Sequence, residues 1–244
     1  MSEMGAETQM KKALFFDLYG TLIDIKTDEH DPLIYSVLSQ YLSYHAVKIV
    51  PDELENAYFE AIKWHFQQSK EEHPEVDVYE IFHSIMRKFG DTRISKATVI
   101  YTALLFRSLA RKHFGLFPSL IETLTRLKEH YRMAIISDAQ WVFAKPEMGM
   151  LSLERFFRMK ILSSHFEFKK PDVRLFQIAM EKLRVKPEES LYIGDNLRKD
   201  LVGAKRAGMK FIFFGSDYKG FNNYQPDGFF NDYSELERVI SEVF

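Results

Sequence analysis

Three short apolar runs in this chain end abruptly in reactive polar residues. Ala13 to Phe16 stops at Asp17, Met133 to Ile136 stops at Ser137 and Asp138, and Ser190 to Gly194 stops at Asp195. Such runs are too short for helices and suit strands buried on both faces. Parallel strands share one C-terminal edge, where open α/β sheets place their chemistry. Gly20 permits a tight turn and leaves backbone amides free to approach an anion. Taken alone, Asp17 reads equally well as an ordinary turn residue. The recurrence of the pattern tips the balance, and Lys170 opens a helix just before the last of the three runs. An acid nucleophile, a hydroxyl, an ammonium and a second acid in one crevice are the parts for phosphoryl transfer. Asp17 could attack phosphorus, Ser137 and Lys170 could hold its oxygens, and Asp195 could complete a Mg²⁺ site.

The elements that would position these groups alternate. From Pro118 onward, helical stripes (Leu120, Ile121, Leu124, Leu127; Leu175, Phe176, Ala179, Leu183) separate strands at residues 133–136, 160–163, 190–194 and 211–214, with a final helix over 233–243. With residues 13–16 this makes an α/β fold around a parallel five-stranded sheet. Gly203, Ala204 and Ala207 allow a helix to pack closely on the sheet, and Gly208 ends it. Between residues 30 and 113 the periodicity is helical only. Ile34, Val37, Leu38, Tyr41 and Leu42 form one stripe, and Pro51 starts a second helix carrying Tyr58, Phe59, Ile62 and Phe66. Ile81 to Phe89 and Leu104 to Leu109 supply two more. An all-helical unit inserted into the α/β core is expected.

Composition narrows the classes. The 244 residues are 46% hydrophobic with 22 Phe and 12 Tyr, ample for a core plus an insert. A net charge of -2 argues against nucleic acid held by bulk electrostatics. The absence of cysteine excludes disulfides, thiolate zinc sites and a thiol nucleophile. No apolar run approaches the ~18 residues of a membrane span, and residues 1–9 are polar, without the apolar core of a secretory signal. A cytoplasmic protein with no membrane partner is the expectation, with residues 1–9 as a flexible extension. The eight histidines show no paired metal spacing.

The ordered set of segments resembles the haloacid dehalogenase-like (HAD) hydrolase superfamily. Asp17-Leu-Tyr-Gly-Thr21, Ser137 after its strand, Lys170-Pro171, and Gly194-Asp195-Asn-Leu-Arg-Lys-Asp200 resemble its four motifs in sequence order. The helical insert resembles the superfamily's helical cap; the stretch between Ser137 and Lys170 is too short for the later-inserted cap. The resemblance implies a Rossmann-like core of residues 10–24 and 115–244 and a cap of residues 25–114. It implies Asp17 as nucleophile, forming an aspartyl-phosphate, with Mg²⁺ bound by Asp17, the backbone carbonyl of Tyr19 and Asp195. Asp200 would orient the metal site or pair with a lysine. Thr21, Ser137 and Lys170 would position substrate and nucleophile. Asp138 and Asn196 join the candidate substrate contacts, and Asp138, beside Ser137, is also a candidate for an acid that residue 19 does not supply. The competing readings are a turn contact, which is favoured for Asp138, and a loop stabiliser for Asn196. Trp141 is a candidate wall of the pocket; Trp64 and His65, on a cap helix, sit beside residues suited to plain packing.

Tyr19 departs from the pattern of the superfamily's phosphatases, which usually carry an aspartate there as general acid and base. The Asp-x-Tyr-Gly-Thr form occurs in the superfamily's metal-free 2-haloacid dehalogenases, the alternative activity; phosphonate hydrolysis and a non-catalytic binding role are further alternatives. Dehalogenases resemble Ser-Ser-Asn where this chain has Gly194-Asp195-Asn196. Without a cation, Asp17 and Asp195 in one crevice would repel and one would protonate, and a protonated Asp17 is no nucleophile. The acids thus argue for Mg²⁺ and a small phosphorylated metabolite. The sequence carries no code for which one, nor for oligomeric state.

Overall fold

A computed structural model describes residues 12–90, 93–216 and 220–244; the expected extension at residues 1–9 lies outside the described residues. The sheet has six parallel strands in the order β5-β4-β1-β6-β7-β8. These are β1 (Ala13–Phe16), β4 (Arg132–Ser137), β5 (Met159–Leu162), β6 (Ser190–Gly194), β7 (Lys210–Phe214) and β8 (Gly228–Phe230). β1 lies at the centre, with Phe16 opposite Ile135 on one side and Ile193 on the other. The chain winds outward from β1 through β4 to β5, then returns to β6 on the other side of β1. That reversal is a topological switch point, the place where such sheets leave a crevice.

Alternation of side chains divides β1 between two apolar layers. Leu14 and Phe16 join Leu191, Ile193 and Ile135 under α5 (Leu120–Leu127) and α9 (Leu236–Val243). Ala13 and Phe15 join Ile136, Tyr192 and Phe211 under α7 (Val173–Leu183) and α8 (Val202–Arg206). Burial on both sides explains why these strands read as continuous apolar runs. Of the small residues at α8, Ala204 and Ala207 pack with Tyr192 and Phe211 of the sheet as expected, while Gly203 serves a further contact. A Cβ on Gly203 would lie 2.3 Å from the Phe176 ring, so the close approach is to α7.

α1 (Pro32–Ser43), α2 (Pro51–Gln68), α3 (Val78–Phe89) and α4 (Lys96–Ala110) form a bundle with its own core. Tyr58 sits at its centre, its ring centroid 5.4 Å from that of Phe82 and 4.8 Å from that of Phe106. Asp31, Asp77 and Ser95 cap α1, α3 and α4 by accepting backbone N–H groups. Val142 and Phe143, from α6 (Trp141–Met150) of the α/β part, complete this core, so the bundle is packed onto the helix that follows β4.

The helical reading of residues 30–113 holds as far as Ala110, where a strand begins at Arg111, and among the described residues three strands lie beyond the five expected. The bundle is entered and left through an antiparallel ribbon, β2 (Ile23–Thr27) with β3 (Arg111–Leu116). Its exposed positions are Lys26, Thr27, Lys112 and His113, and only Ile23 is buried, so it carries no apolar run to betray it. β8 escapes notice because it is a three-residue edge strand. No helix among the described residues is long and apolar enough to cross a membrane.

Candidate active site

Asp17 follows β1 directly, and its N–H donates to the Ile193 carbonyl at 2.9 Å, extending the pairing with β6 by one residue. The chain then turns sharply: Leu22 and Ile23 both donate to the Leu18 carbonyl, and Gly20 donates to that of Ile23 at 2.9 Å. Gly20 has φ +85, and a Cβ there would lie 2.6 Å from Asp195 Oδ2. Only glycine allows both this conformation and the approach of Asp195 to the turn. Thr21 closes the same contact by donating its hydroxyl to Asp195 Oδ1 at 2.7 Å.

Lys170 is the buried hinge of the charges. Its Nζ lies 2.9 Å from Asp17 Oδ1 and 2.6 Å from Asp200 Oδ1. It also donates to the Tyr192 hydroxyl at 3.1 Å, which in turn donates to the Ile136 carbonyl at 2.7 Å. Burial would lower the Lys170 pKa, but the charges of Asp17 and Asp200 reverse this and hold it well above its ordinary value. The ammonium is therefore a fixed cation. Asp200 is fully enclosed; its second oxygen accepts the Asn196 N–H at 3.0 Å. Burial pushes the Asp200 pKa up, opposed by Lys170. Asp195 is pushed up as well, by burial and then by Asp17, against the pull of Thr21 and Lys170.

Asp17, Asp195 and Asp200 bring one carboxylate oxygen each to within 4.8 Å of one another. Three acids against Lys170 leave two negative charges uncompensated in a largely buried crevice. Such a set fits a hard divalent cation, which takes oxygen ligands and restores the balance.

The remaining expected residues separate into those near this centre and those engaged elsewhere. Ser137 is buried at the end of β4, the strand beside β1. Asp138 makes long-range contacts in place of a local turn: it accepts the Lys170 N–H at 2.9 Å and lies 3.1 Å from Lys199 Nζ. The Asn196 side chain accepts the N–H groups of Arg198 and Lys199, at 3.0 and 3.1 Å, so its oxygen stabilises the loop. Trp141 donates its indole N–H to Asp77 at 2.8 Å, fastening α6 to the start of α3. Trp64 is exposed on the bundle.

The Tyr19 side chain reaches a second polar cluster. Its hydroxyl donates to Glu147 Oε2 at 2.5 Å, and Arg107 donates to the same carboxylate from Nε at 2.8 Å and from Nη2 at 3.2 Å. The guanidinium also lies over the Tyr19 ring, 5.0 Å from its centroid. Burial and the Glu147 charge push the Tyr19 pKa well above its ordinary value. Sequence reasoning missed Arg107, Glu147 and Tyr192. The signal for Glu147 was present: it stands four residues after Phe143, on the apolar face of its helix, where an acid needs a partner.

This fold and these motifs define a hydrolase class. The sequence pattern of the haloacid dehalogenase-like hydrolases matches residues 14–214, and the chain belongs to that family. Among its relatives is a glyceraldehyde 3-phosphate phosphatase of Pyrococcus furiosus, 28% identical over 83% of this chain and 80% of that protein. Two solved structures share the fold at 20% identity. A 2-haloacid dehalogenase from Pseudomonas syringae pv. Tomato superposes with a TM-score of 0.65, covering 96% of this chain and 99% of that one. A HAD phosphatase from Thermococcus onnurineus superposes at 0.58, covering 94% and 97%. The protein is thus a HAD-like hydrolase; the fold is common to both activities, while the sequence relationship favours phosphatase over dehalogenase.

Proposed function

We propose that the protein is a Mg²⁺-dependent phosphatase of a small phosphorylated metabolite, working through an aspartyl-phosphate on Asp17. The observation that carries this reading is the imbalance of the crevice, where Asp17, Asp195 and Asp200 face Lys170. A metal-free esterification on Asp17 would have to proceed beside the unneutralised Asp195. Asp17, the Tyr19 carbonyl and Asp195 are the residues to hold Mg²⁺, which would supply positive charge against the phosphoryl oxygens. Asp200, with its oxygens committed to Lys170 and the Asn196 amide, orients its neighbours.

In the first step a carboxylate oxygen of Asp17 attacks phosphorus, and the bond from phosphorus to the leaving oxygen breaks. In the second, water attacks phosphorus, the Asp17–phosphorus bond breaks, and inorganic phosphate departs with the carboxylate restored. Lys170 holds Asp17 in place at 2.9 Å and contributes a fixed positive charge to the anionic transition state. The Ser137 hydroxyl is assigned to a phosphoryl oxygen. Asp138 positions the Lys170 backbone, and Asn196 shapes its loop without touching substrate. The core of residues 10–24 and 115–244 carries the chemistry, and the helical unit of residues 25–114 caps it. A triose phosphate, the class named for the Pyrococcus relative, is the first substrate to test.

A panel of phosphorylated metabolites, assayed for phosphate release with Mg²⁺ and with chelator, tests the reading. We expect release that the chelator abolishes. Chelator-resistant chloride release from 2-chloropropionate would overturn it.

A further inference from the structure

The Arg107–Glu147–Tyr19 cluster joins parts of the chain that are distant in sequence and separate in function. Arg107 belongs to α4, one turn before the bundle gives way to β3; Glu147 belongs to α6; Tyr19 is two residues beyond Asp17. Glu147 is 3% exposed and takes both its charge partner and its phenol donor from other elements. An acid in so dry a place is held only while both partners are present. The bundle is seated on the same side of the core by further contacts: the Glu75 N–H donates to Glu167 at 3.0 Å, the Lys169 N–H donates to His73 at 2.9 Å, and Gln140 exchanges hydrogen bonds with Val76 and Val78 at 2.8 Å.

Tyr19 has two ends with different obligations. Its side chain is gripped by Glu147 and Arg107, and its backbone, one residue before Gly20, lies in the turn that carries the Asp17–Thr21 segment against Asp195. We propose that Arg107 and Glu147 are positioning residues for the metal site: by fixing the Tyr19 side chain they fix the turn whose carbonyl completes the Mg²⁺ ligand set, and they tie that set to the seating of the helical bundle. Tyr19 then serves as a strut where the superfamily's phosphatases carry an acid. This inference rests on the phosphatase reading above.

The test is Mg²⁺ binding by titration calorimetry on the full chain. Tyr19→Phe keeps the ring under Arg107 and removes only the phenol donor, so it is the gentlest break. We expect its Mg²⁺ Kd to rise about 10–100-fold, the range for losing a group that orients a metal ligand. Glu147→Gln should produce a rise of the same order, and the two changes together little more than either alone. Leu38→Ala, deep in the bundle core, controls for general destabilisation and should lower Tm with Kd unchanged. A Tyr19→Phe protein that binds Mg²⁺ within about twofold of wild type would overturn the inference and leave the phosphatase reading intact. So would a Leu38→Ala protein whose Kd rises as far. Wild-type protein that binds no Mg²⁺ would overturn both. Should Glu147→Gln fail to fold, Tyr19→Phe decides alone.

Discussion

Two buried charge clusters lie on either side of the Asp17–Thr21 turn, and they are built to opposite rules. Around Lys170, one ammonium faces the carboxylates of Asp17, Asp195 and Asp200. Around Glu147, one guanidinium faces one carboxylate, bidentately, a neutral phenol fills the remaining acceptor position, and the Glu29 charge acts on the same guanidinium from further off. The second cluster is closed and the first is short of positive charge. Burying an unbalanced set costs several kcal/mol per ion, and a fold keeps such a set only where something else supplies the missing charge. The contrast separates the place where a cation and a phosphoryl group belong from the place where helices are held together.

The largest expected effect follows from the unbalanced side. Asp17→Asn removes the proposed nucleophile, and an amide cannot replace a carboxylate in a covalent step. Phosphate release should fall to background while the protein still folds, because Lys170 keeps Asp200 as its partner at 2.6 Å. Activity that survives Asp17→Asn would remove Asp17 from its role.

The closed cluster should respond to paired and single changes differently. Glu147→Leu alone leaves the Arg107 charge without its hydrogen-bonded partner, with the Glu29 charge still acting on it, and should cost up to about 3–5 kcal/mol in denaturant unfolding. Arg107→Met with Glu147→Leu removes both charges and should recover most of that loss. If the double variant is no more stable than the single one, the cluster is not the balanced pair its geometry describes.

A smaller effect concerns pH. Asp195 and Asp200 have pKa values raised in the folded chain, Asp200 to about 7. A raised acid binds its proton more tightly when folded, so its stabilising contribution is full below the unfolded value near 3.9 and is lost as pH rises through the folded value. The chelated protein should therefore lose stability between about pH 4 and pH 7. Half-buried Glu29, Glu75 and Asp77 are also raised and share the trend. The informative quantity is thus the difference between wild type and Asp195→Asn, which should have a flatter profile. Mg²⁺ should erase that difference by favouring the ionised carboxylates. A wild-type profile unchanged by Asp195→Asn would show that Asp195 does not carry the excess charge.

How far the sequence reveals this depends on which kind of order is involved. Strands β1, β4, β6 and β7 are buried on both faces, so their apolar runs stand out, and residues at their C-terminal ends can be collected onto one edge by the parallel rule alone. Asp17, Ser137 and Asp195 are legible for that reason, and Lys170 through its place just before the third of these runs, supported by the motif resemblance. The β2–β3 ribbon has no such run, and its pairing joins Ile25 to Phe114 across the whole bundle. Arg107 meets Glu147 and Tyr19 only because that bundle folds back onto α6. Nothing in their local spacing encodes a contact between residues so far apart. Asn196 shows the converse: its place in a motif suggests substrate, while the two backbone amides that follow it claim its oxygen.

The smallest expected effect is at Tyr19, where motif-level and structural reasoning diverge. On the motif alone, Tyr19→Asp restores a missing acid-base group, worth about 10²–10⁴-fold. It should also flatten a steep dependence of kcat on leaving-group pKa. The structure alters the expectation because the phenol is a donor to Glu147, and aspartate would present a carboxylate to a carboxylate. Repulsion would turn the new side chain away or protonate it, and the turn beneath it would lose its strut. We therefore expect Tyr19→Asp alone, at saturating Mg²⁺, to change sugar-phosphate turnover by less than about tenfold, with nearly the wild-type slope against leaving-group pKa. Combining it with Glu147→Gln removes the repulsion and should recover part of the missing acid-base term, seen as a flatter slope. If Tyr19→Asp by itself gains the full factor, residue 19 faces the leaving group whatever Glu147 does, and the division between an open catalytic cluster and a closed structural one does not run through Tyr19.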